Sequence, residues 1–279
     1  STAKILYSIY FIMTVIQILL LLVGGMPLFD SICTAFGTAG TGGFGIKNDS
    51  MASYSTYLQV VITVFMILFG VNFNAYFFII TKKFAQAFKM EEVRYYFGII
   101  GIAILIIACN IYHIFGSAAK AFQQAAFQVG SIITTTGYAT TDFAKWPMFS
   151  KSILMMLTVV GACASSTGGG IKVSRLLVGI KCIKREIVQL AHPKSVGIIR
   201  IGGKKVGSDI LRTIYIYFIA YVGILIVSVM LVSLDNFDFE TTFSAVLTTL
   251  GNVGPGMAKV GPMGNFADFS ILSKLVLCF

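Results

Sequence analysis

Thr134-Thr135-Thr136-Gly137-Tyr138, a hydroxyl-rich turn ending in glycine and an aromatic, is set between two long apolar segments. Looser copies stand at Thr38-Ala39-Gly40-Thr41-Gly42-Gly43-Phe44 and at Gly251-Asn252-Val253-Gly254-Pro255-Gly256. Each has a hydrophobic segment before it and another after it, so the chain reads as one device built three times. The fold follows from what kind of device needs glycine and threonine backbone at membrane depth.

Working outward, 57% of the residues are hydrophobic and only 11% charged, and the mean hydropathy is +0.87. These values lie outside the soluble range and inside that of polytopic membrane proteins. The apolar runs are too long and too numerous for a cleaved secretory signal. Cys33, Cys109, Cys163, Cys182 and Cys278 are scattered without ligand-like spacing, and His113 and His192 are far apart, so no disulfide, metal or catalytic framework is indicated. The net charge of +10 does not point to nucleic acid, because it is concentrated. Ten Lys/Arg fall between Lys172 and Arg212 against Glu186 and Asp209, and Lys82, Lys83, Lys89 and Arg94 form a second cluster. By the positive-inside rule both regions face the cytoplasm.

Residues 5–23 form a run near the ~20 residues needed to cross a bilayer. Pro27 opens a half-helix over 28–37, too short to span. A spanning segment over 54–80 follows the first glycine turn and stops at Lys82-Lys83. The same order recurs with a span over 95–115, a semi-polar half-helix over 118–131, the Thr134–Tyr138 turn and a re-entering segment over 149–163. Here Ala164-Ser165-Ser166-Thr167-Gly168-Gly169-Gly170 interrupts the helix. Each of three glycines destabilises a helix by about 1 kcal/mol relative to alanine, so this stretch is expected to unwind. Residues 196–206 read as a cytoplasmic hairpin turning at Gly202-Gly203. A third unit has its span over 210–234, its half-helix over 239–250 and a closing span from about 269. The expected division is therefore a first repeat 1–84, a second 85–190 with the broken inner helix, a linker 191–208 and a final repeat 209–279.

A re-entrant half-helix followed by extended glycine-rich backbone can present carbonyl oxygens inside a membrane. Several such loops around one axis replace the hydration shell of a cation. Glycine permits dihedrals that a Cβ forbids, threonine keeps the turn polar, and the negative C-terminal end of the half-helix favours positive charge. Asp49, Asp142, Asp235, Asp238, Glu240 and Asp268 fall on the expected outer face, where a slight excess of carboxylates would raise the local cation concentration, while each one singly reads as a solvated loop charge. The stretch from Gly161 to Lys172 lacks the Gly-Lys-Ser/Thr ending of a phosphate loop and follows no strand.

The three turns, the Ser165-Ser166-Thr167-Gly168-Gly169-Gly170-Ile171-Lys172 break and the His192-Pro193 linker together resemble the Trk/Ktr/HKT potassium transporter superfamily, and within it the bacterial TrkH-like subunits, over essentially the whole chain. The resemblance implies an all-α polytopic membrane protein of helix–pore helix–filter loop–helix units around a central ion pore. It implies that the second, third and fourth of four repeats are present, the first absent and the last clipped. By position it places potassium-filter residues at Thr41, Gly42, Gly43, Thr135, Thr136, Gly137, Asn252, Val253 and Gly254. The third turn departs from the threonine-rich pattern through Asn252-Val253 and Pro255. It places an intramembrane gating loop at Ser165, Ser166, Thr167, Gly168, Gly169, Gly170 and Lys172. It further implies potassium uptake across the bacterial inner membrane, no enzymatic activity, a homodimer, and a cytoplasmic TrkA-type nucleotide-binding regulatory subunit, with no nucleotide bound by this chain. A potassium-binding subunit of a Kdp-type pump shares the repeat plan, and a non-conducting membrane scaffold or receptor is the alternative from another class.

Overall fold

The computed structural model describes residues 2–192 and 197–278. Pro193 and Val196, part of the expected linker and hairpin, lie outside them. Helix α1 (Thr2–Val23) is followed by the half-helix α2 (Leu28–Ala39), which starts immediately after Pro27. Beyond the first turn, α3 (Thr56–Phe69) is capped by the Ser55 hydroxyl, which accepts the Leu58 N–H at 3.4 Å. The short helices α4 (Phe73–Ile80) and α5 (Phe84–Lys89) complete this unit. The second unit runs α6 (Glu91–Phe115), half-helix α7 (Ala118–Ile133), α8 (Met148–Val160) and α9 (Val173–Ala191). A small antiparallel hairpin, β1 (Arg200–Ile201) with β2 (Lys204–Lys205), turns at Gly202-Gly203 as expected and leads into α10 (Ser208–Val232), half-helix α11 (Phe239–Leu250) and α12 (Ile271–Cys278).

Among the described residues, three helices are long and apolar enough to cross a membrane: Lys4–Val23, Glu91–Phe115 and Ser208–Asp235. Their outward faces carry bare aliphatic side chains, with Ile219 75% and Met230 66% exposed. In water such a surface would be prohibitive; against lipid it is the expected one. The protein is a helical, multi-pass membrane protein.

One expectation is corrected. The spanning segment over 54–80 is not continuous: α3 and α4 meet at 91°. The bend falls on Gly70-Val71-Asn72, where Gly70 ends α3 and the Asn72 side chain caps α4 by accepting the Asn74 N–H at 3.0 Å. A Cβ on Gly70 would strike the Tyr96 hydroxyl, and the Gly70 carbonyl accepts the Cys163 N–H at 3.0 Å. Both inner segments, not only the second, are therefore broken, and the two breaks are bonded to each other.

The main core lies between α6, α7 and α8, where Ile107, Ile111, Ala125, Ile133 and Leu154 are buried. It fixes the half-helix α7, whose apolar face is nearly all covered, at the centre of the molecule. The loop carboxylates serve mostly as caps and braces. Asp142 accepts the Ala144 N–H at 3.2 Å, Asp235 accepts the Ser270 N–H at 2.9 Å, and Glu240 pairs with Lys151 at 2.6 Å.

Asp238 caps α11, accepting the Thr241 hydroxyl at 2.6 Å and the Thr241 N–H at 2.9 Å. The Thr241 hydroxyl and N–H hold its carboxyl below the ordinary aspartate value. Asp238→Ala is expected to cost about 1 kcal/mol at neutral pH, read as a lower thermal midpoint in detergent. Because the folded pKa is depressed, this contribution is complete above the unfolded-state pKa of about 3.9. It disappears as pH falls through the folded value, so the difference between variant and parent should close in strong acid.

Candidate functional site

Three half-helices, α2, α7 and α11, end in the same turn. In each the capping residue is right-handed (Gly40, Thr134, Gly251) and the next is left-handed (Thr41 φ 53°, Thr135 φ 58°, Asn252 φ 57°). After one further residue comes a glycine of positive φ (Gly43 63°, Gly137 87°, Gly254 105°). Two backbone bonds recur. The left-handed N–H donates three residues back, in Thr41 to Thr38 at 3.2 Å, Thr135 to Ile132 at 3.0 Å and Asn252 to Thr249 at 3.0 Å. The following N–H donates five residues back, in Gly42 to Gly37 at 2.8 Å, Thr136 to Ser131 at 2.9 Å and Val253 to Thr248 at 2.8 Å. This is the Schellman arrangement, which satisfies carbonyls that a helix end leaves unpaired.

The unusual part is the residue type. Left-handed backbone costs a non-glycine residue about 1–2 kcal/mol, and β-branched threonine is rarely found there. Thr41 and Thr135 hold it because they are buried and bonded on several sides. Strain that persists because its surroundings over-determine it is typical of functional turns.

The turns also touch one another. A Cβ on Gly43 would fall on the carbonyl oxygen of Thr136, and a Cβ on Gly137 would fall on that of Val253. The first two turns therefore leave room, through their glycines, for a carbonyl of the next. Gly254 breaks the series, with nothing within 4 Å of its Cβ position. The aromatic after the glycine acts in the opposite direction. Tyr138 is fully buried, its hydroxyl donating to the Thr34 carbonyl of α2 at 3.2 Å and lying where a side chain on Gly37 would be. The equivalent Phe44 is 89% exposed. Behind the middle turn, Ser131 donates to the Tyr138 carbonyl at 2.6 Å, Thr140 to Gln124 at 2.5 Å and Gln128 to Thr140 at 3.4 Å. Buried hydrogen bonds of this kind hold the turn rigid.

The interrupted helix lies directly against these turns. Residues 161–172 form a loop closed at its neck, where the N–H groups of Ile171, Lys172 and Val173 donate to the carbonyls of Val159, Val160 and Ala162 at 3.3, 3.1 and 3.0 Å. Gly161 (φ 70°) and Gly170 (φ 73°) pack so closely there that a Cβ on either would overlap the other's backbone. At the tip, the Gly169 N–H donates to the Thr135 hydroxyl at 2.5 Å and the Thr41 hydroxyl donates to the Thr167 carbonyl at 3.2 Å. A Cβ on Gly168 would meet the Thr134 carbonyl, and one on Gly169 the Gly251 carbonyl and Asn252. The loop thus reaches all three turns. The Lys172 ammonium folds back onto the Gly168 carbonyl and so braces the loop from within. Ser165 and Ser166 sit apart from the turns; the Ser165 carbonyl accepts the Phe73 N–H at 3.1 Å and the Ser166 hydroxyl donates to the Cys163 carbonyl at 2.6 Å.

Sequence reasoning passed over Glu92, the one buried carboxylate beside this loop, which is 7% exposed. An ionisable residue beside the first apolar turn of a membrane helix was the signal that marked it. Among the described residues no group of three or more His, Cys, Asp or Glu could hold a metal ion.

The sequence model of the family TrkH, described as a cation transport protein, matches residues 1–279. The chain is 34% identical over 283 residues to the Trk system potassium uptake protein TrkH of Salmonella typhimurium, covering 99% of this chain and 58% of that protein. It is 28% identical over 285 residues to the Trk system potassium uptake protein TrkG of Escherichia coli, covering 100% and 58%. The crystal structure of the potassium transporter TrkH from Vibrio parahaemolyticus superposes with a TM-score of 0.91 at 33% identity, over 99% of this chain and 60% of that one. The chain therefore spans somewhat under two thirds of the length of these relatives. With a match along its full length and a shared helical architecture, it belongs to the TrkH family of cation transport proteins.

Proposed function

We propose that this chain forms three walls of a potassium pathway across the bacterial inner membrane, and that the whole protein takes up K⁺ by dehydrating it against backbone oxygens. The observation that carries this reading is the threefold repetition of one strained turn, each copy ending a half-helix and two of them, at Gly43 and Gly137, leaving glycine-sized room for the next turn's carbonyl. The filter residues are Thr41, Gly42 and Gly43, then Thr135, Thr136 and Gly137, then Asn252, Val253 and Gly254. Repeats 1–84, 85–190 and 209–279 are the walls, with 191–208 a cytoplasmic linker. Three half-helices with their C-terminal ends at one place favour a cation there. The names of the relatives supply the ion.

The loop from Ser165 to Gly170, with Lys172, is the gate. Among the described residues it is hydrogen-bonded to the filter turns through the Thr41 and Thr135 hydroxyls, and its glycines let it exchange between two arrangements at modest cost. A TrkA-type nucleotide-binding subunit acting on the basic cytoplasmic side and a homodimeric assembly complete the proposal, with no nucleotide bound by this chain and no enzymatic step. The repeat plan is shared with a Kdp-type subunit, but the glycine loop bonded to Thr41 and Thr135 favours the Trk reading.

The exposed Phe44 and the open side of Gly254 face the position of a fourth wall. A further unit of the same design would supply a carbonyl to Gly254 and a small residue, equivalent to Gly37, to receive Phe44.

Three outcomes are expected. Full-length protein in liposomes should carry ⁸⁶Rb⁺, and Gly137→Asp, which sets a side chain against the Val253 carbonyl, should abolish the flux; wild-type flux in that variant would sink the filter assignment. Rb⁺ flux measured against Na⁺ flux, with and without a pH gradient, should show a preference for Rb⁺. Phe44→Ala should destabilise the full-length protein by about 3–5 kcal/mol, as for a buried phenylalanine, whereas a change within about 0.5 kcal/mol, as for an exposed one, would exclude a fourth wall at that position.

A further inference from the structure

The carboxylate of Glu92 joins segments that are far apart in the chain. Its Oε1 accepts the Ala164 N–H at 2.6 Å and the Ser174 N–H at 3.2 Å, and its Oε2 accepts the Asn72 side-chain amide at 2.9 Å. Ala164 lies where the chain enters the glycine loop and Ser174 where it leaves into the first turn of α9, so one oxygen spans both sides of the loop's neck. Asn72 lies at the break between α3 and α4, so the same carboxylate ties the two broken inner segments together. Its place at the N-terminal end of α9, where unpaired N–H groups gather, favours negative charge.

The neighbouring Glu91 extends the connection. It pairs with Lys181 on α9 at 2.5 Å and accepts the Gly202 N–H of the hairpin at 3.2 Å, while Lys181 also donates to the Arg200 carbonyl at 2.8 Å. Two adjacent residues of α6 therefore hold α9 at two points, one shared with the loop and one with the hairpin.

We infer that Glu92 is the positioning residue of the loop: its carboxylate holds the neck so that Gly168 and Gly169 lie against the three turns. This rests on the reading of the loop as a gate. In Glu92→Gln the amide oxygen can still accept from Ala164 and Ser174, now without the charge, but the amide nitrogen meets the Asn72 side-chain N–H donor to donor, so the neck is held more weakly and loses its tie to the α3–α4 break while the turns themselves keep every bond.

The test uses full-length protein in liposomes and compares wild type, Glu92→Gln and Glu92→Asp. Losing a hydrogen bond to a charged group is expected to shift the balance away from the closed arrangement and raise ⁸⁶Rb⁺ flux about tenfold in Glu92→Gln. The Rb⁺/Na⁺ ratio should not change, since general damage to the turns would alter it. A second readout is independent of flux: a cysteine introduced by Thr167→Cys should react with a water-soluble thiol reagent faster in the Glu92→Gln background. Flux and thiol reactivity both within twofold of wild type would overturn the inference. If Glu92→Gln does not assemble, Glu92→Asp, which keeps the charge but draws it back by one methylene, decides in the same two assays. Absence of Rb⁺ flux in the wild type counts against the filter reading, and the thiol rates then decide the role of Glu92.

Discussion

Backbone N–H and carbonyl groups within a bilayer have no water to turn to, and each one left unpaired costs several kcal/mol. Everything irregular in this protein is arranged around that constraint. Three half-helices stop short, and each stop is closed by the same pair of backbone bonds. The carbonyls of Thr136 and Val253 lie against the glycines of neighbouring turns. Behind the middle turn, the bonds from Ser131 to the Tyr138 carbonyl and from Thr140 to Gln124 hold the backbone in place.

The hydroxyls are used differently from what composition suggests. Thr41 and Thr135 bond to the glycine loop, at Thr167 and Gly169. In the middle turn Thr134 and Thr136 bond to each other at 2.8 Å. Threonine at the left-handed position thus joins a strained backbone to the glycine loop. The turns are closed by bonds within themselves; the loop is closed by backbone bonds at its neck, and its tip bonds to Thr41, to Thr135 and, through the Thr167 hydroxyl, to the Phe69 carbonyl at 3.5 Å.

Much of this was legible in the sequence. The half-helix over 239–250 coincides with α11, because Asp238 is a strong N-cap and Gly251 a clear stop. The three turns stood out because glycine and threonine clusters are conspicuous between apolar runs. The break at Gly70-Val71-Asn72 was hidden, since one glycine and one asparagine barely lower the hydropathy of a long apolar segment. What bends the chain there is the Tyr96 hydroxyl against Gly70 and the bond from Cys163, contacts from residues more than twenty positions away. Glu92 was hidden for the same reason: its partners Asn72, Ala164 and Ser174 are 20, 72 and 82 positions distant. Local pattern reads elements and caps; it does not read which distant N–H groups a buried carboxylate will collect.

The seat of Tyr138 on Thr34 spans 104 residues of chain. During synthesis at roughly 5–20 residues per second, α2 waits about 5–20 s for the tyrosine that fills its notch at Gly37. Through that interval the notch at Gly37 has no tyrosine to fill it, so the first of the three units is completed by the second. A substitution at Tyr138 is therefore felt in α2 as well as in the turn that carries it.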